Sequence, residues 1–410
     1  MANMSRVGRW IIGGLALGVA LAGCQRSRPE HARHPDRGAQ SVTAPPIDAA
    51  VRARRIQAEA HRIYLDSEAN GMVVSVVTSD GHGFIGGFGH AGRGVGPPPD
   101  ARTLVRLQSI SKLFDCDLFS ALVAAGRVRL TDPLRLYAPP GRTVPPPANG
   151  GPEITLLNLA THTSGLPREG IRPVNSAAQA QTLRWIWLAS QKNLPPAGQD
   201  AVYSNIGFDL LGDALSSAAR MPYAVALRAT VTGPLGMSDT TSTPTTEQCA
   251  RMLSPDPDRA PFPCKDQSWE EASGGLYSTA SDMTRWIRAQ VAPGAADDRR
   301  RISQAVYVQR ASLKEAYGFD HAGHANALGL AWVELLPTAD HPRVLEKTGG
   351  GDGFLSYIVI DPANHTGVFV AFDHLGGLRL PVVARDANAF IGVLDALDGR
   401  APASAPLSPR

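Results

Sequence analysis

Lysine is scarce in this sequence. Of 40 lysine and arginine residues, five are lysine, at positions 112, 192, 265, 314 and 347, which leaves 35 arginines. Codon usage can explain such a bias, but it does not explain why one of the five sits in the apolar run "LQSISKLF", residues 107–114. Arginine cannot release its proton inside a protein, whereas a desolvated lysine can. A site that needs a neutral amine as base must therefore use lysine, and Lys112 is such a candidate.

Charge of one sign is also in short supply. The net charge is +3, and much of the basic excess lies in the first forty residues, where Arg26, Arg28, Arg33 and Arg37 stand against Glu30 and Asp36. Nothing here points to a nucleic-acid partner. The eleven histidines are scattered, and "HAGH" at 321–324 has no histidine or cysteine partners at zinc spacing, so neither a metal nor a cofactor is implied.

Long apolar runs are missing beyond the N-terminus, which excludes a spanning helix elsewhere. Arg6 and Arg9 precede "WIIGGLALGVALAG", which is short for a bilayer and ends at "LAGC", Leu21 to Cys24. This resembles the lipobox of bacterial lipoproteins. The resemblance implies a signal peptide over 1–24, lipidation of Cys24 and a periplasmic location. With Gln25 rather than Asp following, it favours a lipid anchor in the outer membrane. A plain secretory signal with a chance cysteine is the competing reading. Residues 25–46 are polar and rich in Arg, His, Ser and Pro, and read as a disordered tether.

Three further cysteines remain. Cys249 and Cys264 bracket a loop rich in Pro and Asp. In an oxidising exported compartment, a disulfide there would be worth roughly 3 kcal/mol in the loop-entropy model. Cys116 reads as a buried structural thiol.

The globular part is expected over 47–400, with a tail at 401–410. A helical pattern runs from Ile47 and stops at Gly71. "MVVSVVT" and "GFIGGFG" read as a hairpin, and 107–126 as a helix closed by Gly126. "RVLEKTG", "FLSYIVIDP" and "TGVFVAF" read as three late strands before a final helix. The expected class is α+β: one antiparallel sheet built from N- and C-terminal strands and flanked by helices, with a mostly helical domain inserted at about 127–325.

Within a helix, Ser109 and Lys112 at i and i+3 are within reach of each other. A serine near a helix start also has free backbone N–H groups beside it, which suits a nucleophile whose developing oxyanion needs donors. "VYSNIG" adds Tyr203, Ser204 and Asn205, and "EKTGG" adds Lys347, Thr348 and Gly349. S-x-x-K, Y-S-N and K-T-G in this order are the signature set of penicillin-recognising serine hydrolases.

The stretches "DPLRLYAPPGRTVP", "ITLLNLATHTSGLPRE", "YSNIGFDLLGDAL", "PLGMSDTT", "SGGLYSTASDMTRW", "ALGLAWVELLP" and "EKTGGGDGFLSYIVIDP" resemble the AmpH-type D-alanyl-D-alanine carboxypeptidase/endopeptidases, relatives of the class C β-lactamases. The likeness runs from about residue 70 to 375 and includes the "EQC…FPC" cysteines. It implies a β-lactamase/transpeptidase-like fold and acylation of Ser109 by a peptidoglycan stem peptide. Lys112 would be the base, Tyr203 the proton carrier to the leaving amine, and Asn205 a ligand of the substrate amide. Lys347 and Thr348, on an edge strand, would favour the terminal carboxylate, and the N–H of Gly350 would be the second oxyanion donor, with Gly349 allowing close approach. β-Lactams would be covalent ligands. A class C-like β-lactamase or esterase, and a non-catalytic wall-peptide binder, are the competing functions, and nothing speaks to oligomeric state. His162 in "THTSG" reads as structural. Asp115, Asp117 and Asp352 are charges where the resembling peptidases lead one to expect neutral residues or glycine.

Overall fold

The computed structural model describes residues 47–92, 97–253, 264–294, 297–351, 353–373 and 379–400. Cys24 and Asp352, with the expected signal peptide, tether and tail, lie outside them.

Helix α1, Ala49–Ser67, starts where the Asp48 carboxylate accepts from the N–H groups of Ala50 and Val51. It ends at Glu68, which is left-handed at φ 53°, rather than at Gly71. Gly71 instead opens strand β1, Gly71–Val77, because a Cβ there would lie 2.1 Å from the His90 carbonyl oxygen. Strand β2, Phe84–Gly89, pairs antiparallel with β1 as the hairpin pattern predicts.

Among the described residues eight antiparallel strands make the central sheet, three more than the sequence pattern shows. The additional ones are short: β3 Val306–Gln309, β4 Ala327–Gly329 and β5 Val333–Leu335. At three or four residues, such segments show too little alternation to stand out from loop. The long late strands are β6 Val344–Gly351, β7 Phe354–Asp361 and β8 Thr366–Asp373. The order across the sheet is β2-β1-β8-β7-β6-β5-β4-β3, so an early strand meets the last one inside the sheet, where β1 pairs with β8 with Val74 opposite Val370.

Every residue of β1 and β8 is buried, because both faces of the sheet are covered. On the outer face Met72, Val74, Val76, Val370 and Phe372 pack with Ile56, Ala60 and Ile63 of α1 and with Phe390, Ile391 and Leu394 of the last helix. On the inner face Val73, Val77, Phe369 and Ala371 meet Leu107, Ile110 and Phe114. Phe114 belongs to helix α2, Ser111–Ala124, and stacks on Trp286 at 5.0 Å. Beyond α2 lies helix α3, Asn205–Ala219. Helix α4, Ala280–Val291, carries Trp286; α5 is Asp298–Gln304, and α6, Leu380–Leu397, is the last helix. The structure joins Cys249 to Cys264, with Cα atoms 5.6 Å apart.

Among the described residues no helix is long and apolar enough to cross a membrane, and no group of three or more His, Cys, Asp or Glu is placed to hold a metal.

Candidate active site

Ser109 lies in the 3-10 turn Gln108–Ile110 that runs into α2, one turn ahead of the helix the sequence pattern assigns to it. Gln108 holds this turn at φ 52°, a region that non-glycine residues rarely visit. Its side chain is pinned by a 2.8 Å bond to the Gly351 carbonyl. Strain beside a nucleophile persists only where the surroundings over-determine it, and here β6 does so. A Cβ on Gly349 would sit 2.5 Å from the Leu107 carbonyl oxygen and 2.3 Å from Ser356 Oγ, so only glycine allows this approach. Ser356 Oγ also donates to Leu107 O at 2.8 Å, tying β7 to the turn.

Y-S-N is a helix-start device. Ser204 caps α3, its hydroxyl accepting from the Gly207 N–H at 3.0 Å and donating to the Pro167 carbonyl at 2.7 Å. The orphan N–H groups of Asn205 and Ile206 both meet the Arg168 carbonyl, at 2.8 and 3.3 Å. Tyr203 and Asn205 flank the cap, held by backbone at a rigid helix end.

The four expected reactive residues converge. Lys112 Nζ lies 3.2 Å from Ser109 Oγ, 2.7 Å from Asn205 Oδ1 and 2.5 Å from the Ser273 carbonyl oxygen. It stands 5.0 Å from the Tyr203 ring centroid, and Lys347 Nζ stands 4.7 Å from the same ring. Lys112, Lys347 and Tyr203 are buried while Ser109 is partly exposed, so the hydroxyl faces the solvent and the charges sit behind it. Burial lowers the Lys112 amine below its ordinary value, and the Lys347 charge adds to that against the pull of Tyr203. Burial alone would raise the Tyr203 phenol; the two ammonium groups, with hydrogen bonding from Ser109 and Lys112, outweigh it and bring it down to about 8.

β6 is interior in the sheet order, yet β5 pairs only with Val344, Leu345 and Glu346. From Lys347 onward its side toward β5 has no strand partner, so this stretch is a local edge. Thr348 is partly buried and Gly350 exposed on it.

Two expectations resolve differently from the charges that prompted them. Asp117 does not touch the site: its carboxylate takes hydrogen bonds from Trp286 Nε1 (2.8 Å) and Gln290 Nε2 (2.8 Å) of α4 and from Ser303 Oγ (3.0 Å) of α5. Burial, only partly offset by these donors, raises its pKa to about 7. Asp115 is fully buried near Tyr223, and desolvation pushes its carboxyl well above the usual range. Asp117 thus docks α2 against α4 and α5 rather than flanking the nucleophile.

His162 backs the site. It is buried at φ 59°, stacks on Tyr203 at 4.3 Å, and its Nδ1 accepts the Ser204 N–H at 3.0 Å. Burial first, then the nearby Lys347, Lys112 and Arg168 charges, hold its pKa well below the ordinary value, so the ring is a neutral wedge behind the phenol. Sequence reasoning did not reach Ser273, whose carbonyl meets Lys112, nor Asp209, whose carboxylate takes the Ser273 N–H at 3.2 Å. It also missed Glu169, which accepts from Asn205 Nδ2 at 2.6 Å, and Arg168, 4.9 Å from the Tyr203 ring. "GLPRE" followed the "HTSG" run, but no local signal marks it as site-facing.

The sheet, the cap and the buried amine beside a hydroxyl are the parts of an active-site-serine hydrolase. The β-lactamase family model matches residues 48–392. The D-alanyl-D-alanine-carboxypeptidase/endopeptidase AmpH of Escherichia coli (strain K12) is 38% identical over 343 residues, covering 81% of this chain and 86% of that one. A solved β-lactamase/D-alanine carboxypeptidase from Yersinia pestis, complexed with citrate, has a TM-score of 0.78 at 37% identity over 85% of this chain and 99% of its own. A class C β-lactamase from Rhodobacter sphaeroides shares the fold at a TM-score of 0.65 and 23% identity, over 83% and 100%. The chain belongs to the β-lactamase family.

Proposed function

We propose that this protein is a serine D,D-peptidase that cleaves peptidoglycan stem peptides through an acyl-enzyme on Ser109. The observation that carries the reading is the meeting of Ser109, Lys112, Tyr203 and Lys347 around one partly open hydroxyl. The names of the Escherichia coli and Yersinia pestis relatives support the substrate class.

Ser109 Oγ attacks the carbonyl carbon of a D-Ala-D-Ala or cross-linking peptide bond and passes its proton to Lys112. The oxyanion takes hydrogen bonds from the N–H groups of Ser109 and Gly350. As the C–N bond breaks, Tyr203, with its phenol near 8, delivers a proton to the leaving amine and regains one from Lys112. Water then attacks the ester and frees Ser109. Asn205 orients the substrate amide, and the edge from Lys347 to Gly351 left unpaired by β5 receives the extended peptide, with Lys347 and Thr348 favouring its carboxylate. β-Lactams acylate the same hydroxyl. Arg6, Arg9 and "LAGC" support export to the periplasm and lipidation at Cys24, with residues 25–46 as tether to an outer-membrane anchor.

Incubating the purified protein with muropeptides and reading products by mass tests this. Loss of a terminal alanine or cleavage of a cross-link, absent in Ser109→Ala, is the expected result. Intact muropeptides alongside rapid β-lactam hydrolysis would make it a β-lactamase instead.

A further inference from the structure

A neutral amine has two N–H bonds and one lone pair. Lys112 meets three oxygens, of which the Asn205 and Ser273 carbonyls can only accept, while the Ser109 hydroxyl can also donate. The two carbonyls therefore take both hydrogens, and the lone pair is left for the Ser109 proton. That allocation depends on which end of the Asn205 amide faces Lys112. Rotated by half a turn, the amide would offer its NH2 group to the amine, and a donor there would compete with Ser109 for the lone pair.

Glu169 decides the orientation. Asn205 Nδ2 donates to Glu169 Oε1 at 2.6 Å, and a carboxylate accepts only. The backbone beneath it is held at the α3 cap through the Pro167 and Arg168 carbonyls. The neighbouring ion pair with Arg168 is long, at 3.8 Å, and exposed on both sides, so it gives Glu169 little hold of its own. We propose that Glu169 is a positioning residue: it keeps the Asn205 amide oxygen turned toward Lys112 and thereby aims the Lys112 lone pair at Ser109. This rests on Ser109 being the nucleophile.

Lys112 is faced by Tyr203, Lys347, Asp209 and Asp115, and Glu169 by Arg168 and Asn205; substitutions at 169 leave all of these in place. The test is the rate at which a fluorophosphonate probe labels Ser109 in the full chain as pH is varied, with muropeptide turnover followed in parallel. Glu169→Ala is expected to slow labelling about tenfold, the effect of one charge-assisted hydrogen bond. It should also move the acidic limb of the profile to lower pH, because an ammonium at Lys112 loses an acceptor. Glu169→Gln keeps an acceptor oxygen, and should stay within about threefold of wild type with its limb in place. A Glu169→Ala profile identical to wild type overturns the proposal, and so does a Gln variant as slow as Ala. Wild type that is labelled but leaves muropeptides intact removes the peptidase reading, while the comparison at 169 still stands or falls on its own rates. Wild type that is not labelled overturns both.

Discussion

The two faces of the central sheet are packed by different rules. On the outer face α1 and α6 meet the strands largely through aliphatic and phenylalanine side chains such as Ile56, Ile63, Phe390 and Leu394, with polar groups such as Asn388, which takes the Tyr357 hydroxyl at 2.7 Å, interspersed. The layers on the inner side of the sheet bury Lys112, Lys347, His162, Asp115, Asp209 and, between helices, the Arg184–Asp213 pair, whose guanidinium and carboxylate meet at 2.6 Å. Burying an unpaired polar group costs about 1–3 kcal/mol, more for a charge, so the inner face gives up stability that the outer face supplies. The low dielectric thus obtained is what lowers the Lys112 amine and strengthens the pull of the two lysines on the Tyr203 phenol. The outer layer makes the fold secure, and the inner layer uses that security to shift proton affinities away from their values in water.

The sharpest way to break this contrast is at the nucleophile. Ser109→Ala and Lys112→Arg should each reduce labelling by a fluorescent penicillin by about 10³-fold or more, since a guanidinium cannot take the serine proton. Both variants should stay folded by circular dichroism. A Lys112→Arg variant that labels normally would show that the buried amine is not a base.

On the opposite face, Phe390→Ala should cost about 3–5 kcal/mol in denaturant unfolding through the cavity it leaves. Its folded fraction should acylate at the wild-type rate with the wild-type pH profile. A displaced profile would mean that the two faces are not separable.

The smallest effect expected is at Asp115. Its carboxyl pKa is raised in the fold, so between the ordinary carboxylate value and that raised value the native state holds a proton the unfolded chain has lost. That contribution is full in acid and fades as pH rises. Asp115→Asn, neutral throughout, should therefore unfold at nearly the wild-type temperature in acid and lose stability less steeply as pH rises above the ordinary carboxylate value. An unchanged slope would mean that the carboxylate is ionised and paired.

How far the site could be read depended on sequence distance. Ser109 and Lys112 are one helical turn apart, so their 3.2 Å contact follows from local geometry, and Ser204 announces the start of α3 by its capping chemistry. The long strands and terminal helices were legible because each carries several periods of its pattern. The short strands β3 to β5 carry barely one, and α1 stops at a left-handed Glu68, while Gly71 is required by the close approach of the His90 carbonyl to β1.

By itself, the sequence determined which residue types were available: one lysine next to a serine, one behind a threonine, a tyrosine and an asparagine on either side of a helix cap. Only the tertiary structure decided which atoms meet. Asn205 and Ser273 reach Lys112 across 93 and 161 residues of chain, and Glu169 orients Asn205 from a loop with no pattern of its own. Contacts at such separations leave no periodicity to read, because they arise only when the sheet's two halves close and the helices between them are pressed onto its inner face.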